Sequence, residues 1–343
     1  MATDELYHSY APFSDMNTLG PEVELFAQYL DTMRTRIDSR LPNQEPSEIA
    51  YEMIETYSNI AKKRLDEYVI RLDDLEKSRN MQEIDGTVWV TDVSGEAVNH
   101  RELDQHCKYW EREAQTWDLL LVLSKHRLAR VSECTPLEFS KHSSDLNFRE
   151  LLMEIDHQFK ELNIVLGWVR DNASTPDEII DTRGAGWAYT KQTLKLIKRK
   201  KQFEDVRSQN KVQLVTELDP DARERQGRYI EDEDDVFDEN LMRVAFQHLR
   251  KGDVSGAMAK CIQVNQYWRA QSLRGGFEAW DVAIDGPKEG VHGVQGNRRR
   301  ELWRRMCCKL ATEARQWESA VYGILAGDLD SVLSRKKFHQ PSA

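Results

Sequence analysis

Apolar residues recur at intervals of three and four along most of this chain, and that spacing predicts amphipathic helices. The first run begins at Pro21, a residue suited to the first helical position, and ends near Pro42. A second, longer run follows Pro46 and reaches Leu75, with charged residues between the apolar positions. A third covers 101–130 and becomes apolar on every side towards its end, as expected of a helix whose last turns are buried.

Two stretches depart from this helical pattern. Residues 81–99 contain Thr87–Thr91, a short β-like run, and we expect a loop there with one extended segment. Helical spacing resumes over 146–169, which we expect to form one helix. Residues 202–235 are polar, lack apolar periodicity and close with five acidic residues, so we expect a disordered insertion.

A repeated turn links the helices of the C-terminal third. The dipeptide Gly252-Asp253 recurs 75 residues later as Gly327-Asp328. In each copy, Gly is suited to the left-handed end of one helix and Asp to the N-cap of the next, so the chain reverses within two residues. The predicted pairs are 240–249 with 254–264, and 298–326 with 329–337. Such pairs predict an all-α fold, an irregular helical solenoid of stacked antiparallel helix pairs, which is typical of proteins that hold other proteins.

The composition agrees with an all-α class. The 343 residues include 40% apolar residues but only 17 Gly and 9 Pro, which disfavours a turn-rich β fold. The formal net charge of −11 argues against a protein that binds nucleic acid with its whole surface. The five cysteines form no Cys-x-x-Cys, so we expect a reducing compartment and neither disulfides nor a zinc knuckle. No leader and no apolar run of about 18 residues is present, which predicts a soluble protein that meets a membrane only through partners.

No motif of an enzyme or of a ligand site is complete. The Gly184-Ala185-Gly186 run lacks the third glycine of a dinucleotide fingerprint, and no phosphate-binding loop or His-Glu-x-x-His occurs. The Ser334–Lys337 match to Ser-x-x-Lys has no companion motif. We therefore expect no catalysis, no cofactor, no metal and no small-molecule ligand.

Two basic clusters support an alternative interpretation. Lys195 and 198–201 form one cluster, and Arg298–Arg300 with Arg304 and Arg305 flank Trp303 in the other. Either cluster is a solvated helix face, or the protein is a helical adaptor that binds RNA or acidic peptides through them.

The segment around Trp268 combines Tyr, Trp and Arg, which are the residues enriched in interface hot spots. Trp268 itself is suited either to such an interface or to the core, because large aromatic side chains are usually mostly buried.

Five sequence blocks, in this order, resemble the nuclear-pore scaffold nucleoporins called eighty-four in fungi and one-hundred-seven in vertebrates. The blocks are KYWEREAQTWDLL at 108–120, VTELDPDA at 215–222, RKGD at 250–253, QYWRA at 266–270, and LWRR at 302–305 with YGILAG at 322–327. The resemblance covers about 101–333 and looks like the N-terminal part of the family.

The resemblance implies an ancestral-coatomer fold with a trunk and a crown, in the Y-shaped coat subcomplex of the nuclear pore at the nuclear envelope. It implies a structural role in transport of protein and mRNA. The implied partners are the hub scaffold nucleoporin of the ninety-six or one-forty-five-C type with its β-propeller partner, and a stalk-tip nucleoporin of the one-thirty-three type, which binds a C-terminal half absent from this sequence. The expected division is a flexible N-terminus 1–20, a trunk 21–201, the insertion 202–235, crown and trunk hairpins 236–337, and a flexible tail 338–343.

The resemblance also implies where the hub partner docks. The predicted partner-binding residues are Met258, Ile262, Tyr267, Trp268, Gln271 and Leu273. If they form a surface, Leu273→Asp or Trp268→Ala weakens hub binding and leaves the helical circular dichroism unchanged.

Overall fold

The computed structural model describes residues 21–39, 46–77, 81–84, 87–91, 97–128, 142–179, 182–201 and 214–333. The chain divides into two compact units, Met1–Glu133 and Cys134–Ala343. That division falls inside 21–201, which we expected to form one trunk. The first and last expected segments, 1–20 and 338–343, lie outside the described residues.

The first unit is built on a pair of long helices. Its elements are α1 Pro21–Asp38, α2 Pro46–Lys77, β1 Met81–Ile84, β2 Thr87–Thr91, β3 Ala97–Asn99 and α3 His100–Leu128. Helices α2 and α3 pack closely because Ala61 and Ala114 leave room for the indole of Trp110. The ring of Phe26 on α1 meets Tyr57 edge-on, with ring centres 4.9 Å apart.

The stretch 81–99 is more ordered than we expected. It forms a three-stranded antiparallel sheet, in which Met81 pairs with Val90 and Trp89 pairs with Asn99. The expectation of a loop with one extended segment was wrong. The sequence between β1 and β2 is Asp-Gly, the dipeptide that favours a two-residue hairpin, and this local preference outweighs the shortness of the strands.

The second unit is a stack of helices with a short strand pair, Trp280–Asp281 with Val294–Gln295. Its elements are α4 Asp145–Ile155, α5 His157–Asp171, α6 Ala188–Lys201, α7 Ala222–Gln226, α8 Asp232–Arg250, α9 Val254–Gln263, α10 Tyr267–Arg274, β4 Trp280–Asp281, α11 Val282–Asp285, β5 Val294–Gln295, α12 Arg300–Glu313, α13 Gln316–Ala326 and α14 Leu329–Leu333. Successive helices α8, α9 and α10 pack on one another, and α13 packs on α8 and α12. Across the described residues helix dominates, so the all-α class and the helical solenoid are confirmed.

Both Gly-Asp turns adopt the predicted geometry. Gly252 and Gly327 each have φ of 75°, in the left-handed region. The following amides close the turns in the same way, because Asp253 N donates to His248 O at 3.0 Å and Asp328 N donates to Gly323 O at 2.9 Å. Both predicted turns are therefore confirmed, and residues 334–337 of the second predicted pair lie outside the described residues.

Two predicted helices are broken. The pattern 146–169 forms α4 and α5, since Asp156 leaves the helix and its Oδ1 accepts from Gln158 N and Phe159 N at 2.9 and 3.1 Å. A side chain that caps a new helix competes with continuation of the old one. The pattern 298–326 likewise forms α12 and α13, which are separated at Ala314, where the backbone becomes extended.

The described part of 202–235 is ordered, so our expectation of a disordered insertion was wrong for 214–235. Val215, Ala222 and Ile230 are buried with Trp187 in a small core of their own. These apolar residues are too far apart in sequence to give a periodic pattern. The acidic run forms the first turn of α8, where carboxylates are favoured by the helix dipole. Residues 202–213 lie outside the described residues.

Asp253 provides a test of the first turn. Its Oδ1 accepts from Gly256 N at 2.7 Å, and its Oδ2 lies 3.0 Å from Nδ1 of His248. The Gly256 amide and the His248 ring hold the pKa of Asp253 below its ordinary value, although partial burial raises it. Because the folded-state pKa is lowered, this stabilisation is complete above the ordinary value near 3.9 and is lost as the pH falls through the lowered value.

We expect Asp253→Ala to lower the free energy of unfolding by about 1 kcal/mol at neutral pH. Urea unfolding followed by circular dichroism at pH values on both sides of the carboxyl titration measures the loss. The control is Asp253→Asn, which keeps a capping oxygen but cannot titrate, so it should retain most of the stability at neutral pH. Equal losses in both variants would contradict the capping role.

Candidate docking surface on α9 and α10

A tight turn sets the relative placement of α9 and α10. Helix α9 turns its buried Ala257 and Cys261 into the core and ends at the buried Val264. Asn265 takes φ of 63°, a conformation that asparagine tolerates better than most residues, and Gln266 N donates to Cys261 O at 2.9 Å. Helix α10 therefore begins at once, with Tyr267 and Trp268 in its first turn.

Four of the six predicted residues lie at the surface of this corner. The exposed fractions are 45% for Ile262, 58% for Tyr267 and 39% for Trp268, and Gln271 is also exposed. We call these four residues the docking surface. Large apolar and aromatic side chains exposed next to one another are typical of interaction sites. Trp268 is thus not a fully buried core residue, and its part in docking stays a prediction.

The other two predicted residues lie deeper. Met258 is partly buried and packs against the core. Leu273 is only 2% exposed and packs among the buried residues of the same core as Val264 and Val321, so its assignment to the partner-binding surface was wrong. Its position on α10 explains this, because Ala270 and Leu273 share the inward face at a spacing of three.

Arg269 is buried under the docking surface. We had grouped it with Tyr267 and Trp268 as interface composition, but it is 6% exposed. Its Cζ lies 4.4 Å from the centre of the Trp268 ring. Its Nη1 donates to Glu318 Oε1 at 2.7 Å, and its Nη2 lies 3.5 Å from Asp238 Oδ2.

Asp238 joins the same buried network from α8. It accepts from Gln266 Nε2 at 2.7 Å and from Trp187 Nε1 at 3.0 Å. The network therefore ties α10 to α8 through Asp238 and to α13 through Glu318.

Arg269 keeps its positive charge at neutral pH. Burial disfavours the charged guanidinium, but the Glu318 and Asp238 carboxylates hold the pKa of Arg269 above its ordinary value. The nearby thiol of Cys261 is uncharged at neutral pH, because burial raises its pKa to about 11. Cys261 is therefore an uncharged core residue, not a nucleophile.

The second basic cluster is engaged within the fold. Arg300 Nε donates to Gly276 O at 3.0 Å and Arg304 Nε donates to Ala326 O at 2.8 Å. Arg298 pairs with Asp281, and Arg305 pairs with Glu301. Trp303 donates from Nε1 to Ser272 O at 2.9 Å. The side chains of Arg298, Arg300, Trp303 and Arg304 are thus held by other parts of the fold, which weakens the interpretation of this cluster as an RNA site.

A stack of antiparallel helices with the buried thiols of Cys261 and Cys307 is the fold of a helical solenoid protein. Within the described residues, none of the helices combines the length and apolar character that crossing a membrane would require. A family model described as nuclear pore protein 84 / 107 matches residues 107–339. This chain belongs to that family, as its sequence blocks indicated.

Three nucleoporins are similar to this chain in sequence. The chain is 32% identical over 232 residues to nucleoporin nup107 of Schizosaccharomyces pombe, covering 67% of this chain and 28% of that protein. It is 27% identical over 345 residues to nucleoporin NUP84 of Chaetomium thermophilum, covering 92% and 35%. It is 29% identical over 235 residues to nuclear pore complex protein Nup107 of Homo sapiens, covering 65% and 24%. The chain thus spans about a quarter to a third of the length of these relatives.

Membership of this family decides the broad function. Its members are structural components of the nuclear pore complex at the nuclear envelope, not enzymes. The expectations of a nuclear pore component and of a non-enzymatic protein are therefore confirmed.

Proposed function

We propose that this chain is a scaffold subunit of the Y-shaped coat subcomplex of the nuclear pore, and that it binds the hub nucleoporin through the docking surface. By holding the coat together, it supports transport of protein and mRNA. The carrying observation is that Ile262, Tyr267 and Trp268, an apolar and two aromatic side chains, are all exposed where α9 turns into α10.

The support under this corner favours tight binding. Trp268 stacks on a guanidinium that is itself held by Glu318 and Asp238, so its ring is restrained before a partner arrives. A side chain that is already ordered loses less conformational entropy on binding. Trp and Tyr anchors near the centre of an interface also contribute most of its binding energy.

The docking surface is apolar in character, which distinguishes it from a phosphate-binding site. None of Ile262, Tyr267, Trp268 and Gln271 is charged. Binding through such groups changes little with ionic strength, whereas binding through phosphate contacts weakens steeply as salt rises.

Recovery of partners from nuclear envelope extract tests the proposal. The tagged chain should recover the hub nucleoporin with its β-propeller partner, and raising the salt from about 50 to 200 mM should change the yield little. Recovery of nucleic acid in place of these subunits, lost over the same salt range, would instead favour the helical adaptor for RNA or acidic peptides.

A further inference from the structure

Helix α6 carries an unusual concentration of positive charge. Its 14 residues, AYTKQTLKLIKRKK, contain no acidic residue. Lys191, Lys195, Lys198 and Arg199 are all exposed. With 3.6 residues per turn, these four side chains fall within about 100° of one face and extend for about 12 Å along the axis. We call them the α6 basic face.

The described part of the chain does not neutralise the charges of this face. Among the residues that the structure describes, no side chain forms an ion pair or hydrogen bond with any of the four. Other cations of the same unit are paired, as Arg315 is with Asp235 and Lys260 is with Glu178. Like charges at spacings of three and four repel one another along a helix, and an anionic partner would relieve that repulsion.

The opposite side of α6 is occupied by the protein itself. Thr190 is buried, and its backbone N donates to Asp234 Oδ2 at 2.7 Å. Leu194 and Ile197 are partly buried on the side that packs towards α8. A helix that lies in a membrane surface inserts a whole apolar face into the lipid, whereas on α6 only Leu196 among the large aliphatic side chains is exposed.

A protein partner also fits this face poorly. Protein interfaces are centred on aromatic and apolar anchors, and lysine is depleted from them. The four residues of the α6 basic face provide no such anchor. A phosphate backbone, in contrast, binds to cations alone, because each contact releases condensed counterions.

We propose that the α6 basic face binds the phosphate backbone of double-stranded nucleic acid without reading its bases. The duplex form is favoured because single strands are held by stacking of bases on aromatic side chains. The one aromatic residue of α6, Tyr189, is partly buried in the first turn, where its backbone N is held by Asp234. This activity is separate from docking on α9 and α10.

Fluorescence anisotropy with a labelled duplex of about 20 base pairs tests the proposal. The full chain should bind two duplexes of different sequence equally, and four phosphate contacts should give a slope of log K against log salt of about −3 to −4. The variant with Lys191→Gln, Lys195→Gln, Lys198→Gln and Arg199→Gln should bind at least about tenfold more weakly at low salt. Glutamine has a helix propensity close to that of lysine, so circular dichroism should be unchanged.

The matched control removes four exposed cations elsewhere, with Lys160→Gln, Arg250→Gln, Arg274→Gln and Arg299→Gln. It has the same net charge and should bind the duplex within about threefold of the unmodified chain. An equal loss in both variants would overturn the proposal in favour of a diffuse charge effect. Absence of binding at low salt would overturn it directly. Tighter binding to phosphatidylserine vesicles than to the duplex would assign the α6 basic face to a membrane instead. Displacement of the labelled duplex by a polyglutamate peptide as effectively as by unlabelled duplex would assign it to an acidic protein.

Discussion

Leu273→Asp is expected to abolish the helical fold of the second unit. Leu273 is buried in the core that α8, α9, α10 and α13 share. Leu→Ala alone at such a site costs about 2–5 kcal/mol, and an unpaired carboxylate in the same place adds several kcal/mol for its lost hydration. The sum is comparable with the whole stability of a domain. Far-ultraviolet circular dichroism should therefore lose much of its helical signal.

The comparison that isolates burial is Ile262→Asp, which introduces the same charge on α9 at a side chain that is 45% exposed. It should keep the helical spectrum, since surface substitutions usually change stability by about 0.5 kcal/mol or less. A folded Leu273→Asp variant with a native spectrum would show that Leu273 faces solvent after all.

Arg269→Met is expected to destabilise the same unit while leaving it able to fold. Methionine retains much of the side-chain volume but leaves Glu318 and Asp238 without their shared cation. Removing one partner of a buried ion pair costs about 3–5 kcal/mol, because the other charge stays buried and unpaired. Urea denaturation should show this loss as a lower midpoint with a similar slope.

A second substitution distinguishes the ion pair from packing. Adding Glu318→Gln to Arg269→Met removes one of the stranded charges and should restore part of the lost stability. On the same helix, Arg274→Met changes an exposed arginine and should have an effect of about 0.5 kcal/mol or less. If the double variant is as unstable as the sum of the single ones, Arg269 contributes through packing and not through charge.

The features that the sequence could predict are those set by neighbouring residues. The turns at Gly252 and Gly327 need only a residue that tolerates a left-handed conformation, followed by a capping carboxylate, and both requirements are visible within a few positions. Long amphipathic helices such as α2 and α3 are visible in the same way, because each repeats its pattern over many turns.

The features that it could not predict depend on residues far apart in the chain. Arg269 finds Asp238 and Glu318 at separations of 31 and 49 residues, and no local pattern connects them. Helix α10 has only eight residues, and its burial reverses the usual preference: an arginine is inside, whereas Tyr267 and Trp268 are outside. Neither the composition of this segment nor the family resemblance therefore showed that Leu273 and Arg269 are buried, and docking at this corner stays a prediction.

The most direct test of the proposed scaffold role is the affinity of the full chain for the purified hub nucleoporin with its β-propeller partner, measured by isothermal titration calorimetry. Trp268→Ala and Ile262→Asp should each weaken binding by at least about 30-fold, corresponding to about 2 kcal/mol for a hot-spot residue, with unchanged circular dichroism. Ile155→Asp, at an exposed isoleucine that ends α4, should bind as the unmodified chain does. Unchanged affinity for both docking-surface variants, or an equal loss for Ile155→Asp, would contradict the assignment of α9 and α10 as the docking surface.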